Sequence, residues 1–134
     1  MTIAPKVDQQ TAREEREAYE LATLRDRETC VRCRRQGEVQ RDHRRNRSQG
    51  GRTVVENLQC MCNHCHLWKT EHPKEAVELG WAVPGWAEPG EWPARRMFAT
   101  DNGARILGWC FYLPNGRVQE ISAETAARRM TGGA

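Results

Sequence analysis

The residues able to do chemistry in this chain lie between Cys30 and Thr70. Cys30 and Cys33 form one Cys-x2-Cys pair, and Cys62 and Cys65 form a second, with 28 residues between the pairs. Zinc in structural sites takes four tetrahedral ligands, and thiolates suit it. Two residues between thiols let both sulfurs face one ion, so the pairs predict a structural zinc held by two matched knuckles. Cys60 lies two residues before Cys62, and His64 sits inside the second pair. Either could replace one of the four ligands, and the sequence leaves that choice open. Cys110 lies far off and reads as a packed apolar residue. Closing so long a loop through a metal offsets chain entropy that a small core cannot.

Asp42, His43, Asn57 and His66 form a second set inside the clamp. Phosphodiester hydrolysis needs a base to activate water, and a divalent cation to neutralise charge on the phosphate and the leaving oxygen. A neutral imidazole is a competent base near pH 7. A carboxylate and a second imidazole can hold the cation, and an Asn side chain can orient the base or brace its loop. Taken singly, each histidine reads equally well as a surface residue; the grouping of the four within the clamp favours hydrolysis. Neighbours in a strand point to opposite faces, so Asp42 and His43 serve one site only if the strand ends or bulges there. Cys65 and His66 are neighbours on an expected helix, about 100° apart around its axis, so one element can serve both metals.

The chain has 134 residues, 29% charged and 7% aromatic, with a mean hydropathy of −0.84. A large core is excluded, and a chain of this kind needs a staple. No apolar run is long enough to cross a membrane. Met1 to Gln10 lacks the apolar core of a signal peptide, which predicts a cytoplasmic location, where six cysteines are more often ligands than disulfides. The net charge of +3 is uneven: Arg25 to Arg52 holds ten basic and four acidic residues, the remainder eleven and fourteen. A basic patch around the clamp is the footprint of a polyphosphate partner, although a solvated charged surface has the same composition.

The elements that must position these residues can be read in order. Thr11 to Arg27 predicts a helix, with Thr11 and Glu14 as a capping box and a thin apolar stripe of Ala12, Tyr19 and Ala22, extended by Leu21 and Leu24. Glu38 to Arg44 and Thr53 to Leu58 are short strand candidates, separated by a loop with Ser48, Gly50 and Gly51. Asn63 to His72 predicts a helix stopped by Pro73, and Pro73 opens a shorter one closed by Gly80. Trp81 to Pro93, rich in Pro, Gly and Trp, reads as a linker that packs its tryptophans on the domain. Ile106 to Leu113 and Arg117 to Ile121, joined by Pro114-Asn115-Gly116, predict a β-hairpin, followed by a short helix from Ser122. Trp68 reads as helix packing, His64 and His72 as surface residues. The organisation expected is an N-terminal arm and helix (1–28), a core with the zinc knuckles (29–80), a linker (81–103) and a C-terminal hairpin with a short helix (104–134). The fold class is small α+β.

The stretch Asp-His-Arg-Arg-Asn-Arg-Ser-Gln-Gly-Gly, then Glu-Asn-Leu-Gln-Cys-Met-Cys-Asn-His-Cys-His-Leu-Trp-Lys-Thr, resembles the HNH nuclease family. The order His43, Asn57, His66 and the Cys-x2-Cys-His carry the resemblance, which covers roughly Cys30 to Thr70. It implies a ββα-metal core stapled by a four-cysteine zinc site. It implies that His43 is the general base, that Asp42 and His66 bind the catalytic cation (Mg2+ or Mn2+), and that Asn57 braces the loop and orients His43. It further implies a DNA endonuclease leaving 5′-phosphate and 3′-hydroxyl ends. Arg41, Arg44, Arg45, Arg47, Arg52 and Lys69 would then contact DNA phosphates, largely without regard to sequence. The continuation His72 to Trp81 is similar to the extended form in small HNH proteins of actinobacterial phages. That likeness implies a host-cytoplasmic role beside DNA-packaging or genome-processing proteins. The competing reading is a non-catalytic zinc module that binds nucleic acid or a protein.

Overall fold

Thr11 starts the first helix, α1 (Ala12–Asp26): its hydroxyl accepts from the Glu14 N–H, and the Glu14 carboxylate accepts from the Thr11 N–H, completing the capping box. The computed structural model describes residues 9–132; all but the last two residues of the expected arm lie outside them. The buried face of α1 is Ala18, Ala22 and Asp26, spaced at i, i+4 and i+8. Leu21 and Leu24 point outward, contrary to the expected stripe. The two alanines let the helix backbone come close to the strands beneath it, and they cluster with Val55 and Leu58.

Strand β1 (Val39–His43) pairs antiparallel with β2 (Leu58–Cys62), with Asp42 opposite Gln59 and His43 opposite Leu58. The second strand therefore begins where the expected one, Thr53 to Leu58, ends; residues 55–57 form a 3-10 turn instead. Every residue of β2 is buried, because α1 covers the face of Leu58 and Cys60, and α2, Ala76 and Trp81 cover that of Gln59 and Met61. Such a strand shows no alternation for a sequence reading to find. Helix α2 (Asn63–Glu71) follows directly, and α3 (Pro73–Glu78) starts on Pro73 as expected.

A second, three-stranded antiparallel sheet is made of β3 (Ala94–Ala99), β4 (Arg105–Tyr112) and β5 (Val118–Ile121), in that order, and α4 (Ala123–Met130) closes the chain with Ser122 as its N-cap. The hairpin lies where it was expected, but the supposed linker 81–103 contributes β3. Trp81 and Trp92 pack inward while Trp86 does not. The free edge of β3 is tied to the knuckle and the core: Met97 N–H donates to the Val31 carbonyl and Arg95 N–H to that of Gly80.

The bodies are joined by a buried ionic junction. Asp26, at the end of α1, accepts two bonds from Arg25 at 2.9 Å, one from Arg96 of β3 at 2.8 Å and one from the Cys60 N–H of β2 at 3.0 Å. Arg25 also donates to the carbonyls of Val55 and Leu58, and Arg96 donates to the Tyr112 hydroxyl. Burial pushes the Asp26 carboxyl up, but the two guanidiniums outweigh it and hold it below the usual carboxylate range. Its contribution to stability is thus complete above the unfolded value of about 3.9 and is lost as pH falls through the lower folded value.

Removing this carboxylate leaves two buried guanidiniums without a counter-charge. Asp26→Ala should lower the unfolding free energy in urea by about 3–5 kcal/mol; a loss below about 1 kcal/mol would show the junction to be incidental. In acid titrations, Asp26→Asn should weaken the pH dependence of the unfolding free energy below about pH 4 relative to wild type.

Candidate zinc site and hydrolytic cleft

The Sγ atoms of Cys30, Cys33, Cys62 and Cys65 lie within 4.8 Å of one another. Those of Cys33 and Cys62 are 3.6 Å apart, and a tetrahedron with Zn–S bonds of about 2.3 Å requires about 3.8 Å. The first knuckle is closed by the Cys30 N–H on the Arg35 carbonyl and the Arg34 N–H on the Cys30 carbonyl. The second uses the strand-to-helix junction: Cys62 ends β2, caps α2, and accepts from the Cys65 N–H at 3.4 Å. Burial pushes the Cys62 thiol up, but this N–H and the neighbouring thiols draw it down to about 7. Four convergent thiols at this spacing fit a zinc ion. Cys60 faces α1 instead, with its sulfur 3.8 Å from the Ala22 carbonyl, and His64 is exposed, so the four-thiol set stands. Arg32, which the sequence did not single out, donates to the Cys65 sulfur at 3.3 Å and lies 4.0 Å over the Trp68 ring.

Helix α2 turns its next residue to a different site. His66 Nδ1 lies 2.8 Å from Asp42 Oδ1, across from β1. Gln59 donates to Asp42 Oδ2 at 2.9 Å from the paired strand, and Lys69, one turn beyond His66, lies 3.1 Å from the same oxygen. Burial pushes the Asp42 carboxyl up, but His66, Lys69 and Gln59 together hold it below its ordinary value. The same contact raises His66, which its own burial opposes. Asp42 is thus a buried anion at neutral pH with an imidazole set against it at the edge of the cleft.

His43 is the last residue of β1, where the strand pairing ends. Its Nε2 lies 3.0 Å from Thr53 Oγ1, and its ring meets Tyr19 of α1 edge-on at 6.2 Å. Burial, with Arg47 nearby, lowers its pKa below the usual imidazole value. His43, Asp42, His66 and Arg47 all line one cleft of about 410 Å3. The opposed directions expected of strand neighbours persist: Asp42 is held against α2, His43 against Thr53 and Tyr19.

Asn57 is fully buried. Its Oδ1 accepts from the Arg45 N–H at 2.8 Å, and its Nδ2 donates to the carbonyls of Arg45 and Arg52 at 3.1 and 2.9 Å. It clasps the loop that follows His43, and the side chain hydrogen-bonded to His43 is Thr53. Within that loop a Cβ on Gly51 would run into the Arg45 and Asn46 carbonyls.

Two expected phosphate contacts are corrected. Arg44 is only 1% exposed, and its guanidinium donates to the carbonyls of Glu56, Pro89 and Trp92. Lys69 is buried and donates to the His43 carbonyl as well as to Asp42. Both cations hold the site from beneath. His66 and Lys69 share a face at i and i+3, a spacing that was visible in the sequence; nothing local marked Arg44. Arg41, Arg47 and Arg52 are exposed, and Arg45 is half-buried.

Metal analysis of the purified protein should find about one zinc per chain. Cys62→Ser, which also removes the cap of α2, should lose the zinc and the cooperative thermal transition together. A zinc-free chain with an unchanged melting temperature would contradict a structural role for the thiols.

No curated protein and no solved structure matches this chain. The family model described as HNH endonuclease does match, over residues 30–72. That segment begins at the first zinc thiol and spans the β1–β2 hairpin and α2. It includes Asp42, His43, Asn57 and His66, and over these residues the chain is similar to HNH endonucleases.

Proposed function

We propose that this chain is a metal-dependent endonuclease that hydrolyses DNA phosphodiester bonds. The observation that carries the reading is the pairing of Asp42 with His66 across one cleft, with His43 on the same cleft at the end of β1. A buried carboxylate held ionised and an imidazole nitrogen beside it are donors for a divalent cation such as Mg2+ or Mn2+. Such a cation supplies charge neutralisation at the scissile phosphate and the leaving oxygen.

The chain's own residues supply the rest. His43, with its pKa lowered, is largely neutral near pH 7 and takes a proton from the attacking water. Thr53 fixes its ring through Nε2. Lys69 and Gln59 fix the Asp42 carboxylate. Asn57 holds the loop that carries Thr53 and Arg52. Arg41, Arg45, Arg47 and Arg52 neutralise phosphates flanking the cleft, so affinity falls with salt and depends little on sequence. A place beside phage DNA-packaging or genome-processing proteins, in a host cytoplasm, rests only on the likeness of residues 72–81.

Supercoiled plasmid incubated with Mg2+ or Mn2+ should be nicked or linearised by wild type. His43→Ala should slow this by about 10²–10⁴-fold with the zinc content unchanged. Because the His43 pKa is lowered, its acid limb should lie below about pH 6.5, with rates falling as the base protonates. Plasmid left intact by wild type across several divalent metals would turn the assignment to a non-catalytic zinc module. Equal rates for His43→Ala and wild type would remove His43 from the mechanism.

A further inference from the structure

Trp86 is 78% exposed, whereas Trp81 and Trp92, in the same Pro- and Gly-rich stretch, are buried. Burying an indole removes a large apolar surface from water, so an indole left outside while its neighbours fold inward calls for a partner. The side chain has a fixed seat: its ring meets that of Trp92 at 87° with centroids 5.3 Å apart. It forms one wall of a groove of about 530 Å3, with Trp92, Trp109 and Met130 on the other sides.

The position of this groove names its occupant. Val77 and Pro84 line both the groove and the hydrolytic cleft, and Gly85, the residue before Trp86, lines the cleft. The two adjoin along Val77 and Pro84, so a strand with a phosphate at Asp42 and His66 can reach the indole. The groove wall also carries Ala127 and Met130 of α4. Glu78 is the carboxylate on the wall, an acceptor for an exocyclic amine. An exposed aromatic ring beside a cleft lined by Arg47 is the composition of a base-stacking platform.

We propose that Trp86, with the groove behind it, is a nucleobase-binding subsite adjoining the hydrolytic cleft. Bases inside a duplex have both faces covered; only an unstacked base offers one to an indole. The preferred substrate is therefore DNA that presents an unpaired base beside the scissile phosphate, as single-stranded or locally opened DNA does. The proposal rests on the nuclease reading for its substrate, and its test is independent of cleavage.

The probe is a single-stranded oligonucleotide of about 12 nucleotides containing 2-aminopurine, mixed with the full chain in buffer free of Mg2+ and Mn2+. Wild type should quench the 2-aminopurine fluorescence. Trp86→Ala should bind on the order of tenfold more weakly and lose the quenching, and Trp86→Phe should keep most of both. Melting temperature and zinc content establish that each variant is folded. Equal affinity and quenching for Trp86→Ala and wild type would overturn the subsite and leave the groove to a protein partner. Quenching that survives in a chain unable to cut plasmid would count against the nuclease reading alone.

Discussion

The arrangement depends on buried guanidinium groups. Arg25, Arg44 and Arg96 surround the ring of Tyr112, at 3.9, 5.1 and 5.6 Å from its centroid, with Asp26 as the carboxylate among them. Apolar burial here is divided into small clusters of three to seven residues, none of them large enough to hold the molecule by itself. Buried charge makes up the connections: each guanidinium presents five donors in a fixed plane and can join several backbone segments at once. Arg44 does so without a carboxylate. Burial draws its pKa down to about 10, and it is held by the carbonyls of two separate turns.

This has a consequence for the cleft. Arg44 directly follows His43, and its partners Pro89 and Trp92 lie just before the C-terminal sheet. The Val83 N–H adds a bond to the Arg44 carbonyl. The placement of His43 is thus fixed partly by residues outside the stretch that matches the family model. Residues 81–93 hold the loop after His43 from below with Val83, Pro89 and Trp92, and beside the cleft they expose Trp86.

What was legible in the sequence was whatever local chemistry decides. The thiol spacing, the capping box at Thr11, Pro73 as a helix start and the Pro114-Asn115-Gly116 turn each act within a few residues. Asp42, His43 and His66 stood out as a group because each type can serve phosphodiester hydrolysis, and the fold places the three on one cleft. What escaped was set by distant partners. Arg95-Arg96 reads as a polar loop until Asp26, seventy positions away, is brought to Arg96. Arg44 and Lys69 look like surface cations in a basic run, and only the fold turns them inward. β2 escaped because its burial on both faces erases the alternation by which a strand is recognised.

The two imidazoles of the cleft lie in opposite electrostatic surroundings. His66 stands beside a carboxylate and is raised by that contact; His43 stands near Arg47 in a half-buried position and is lowered. Titratable groups whose environments push them apart are the pattern by which acid–base assignments are made. The lowered imidazole is the more readily neutral of the two and bonds to Thr53, and the other is paired with Asp42. Their separation follows from the strand: Asp42 and His43 point apart, so one addresses α2 and the other the loop clasped by Asn57. The alternation that first argued against both residues serving one cleft is what gives each histidine its own electrostatic surroundings.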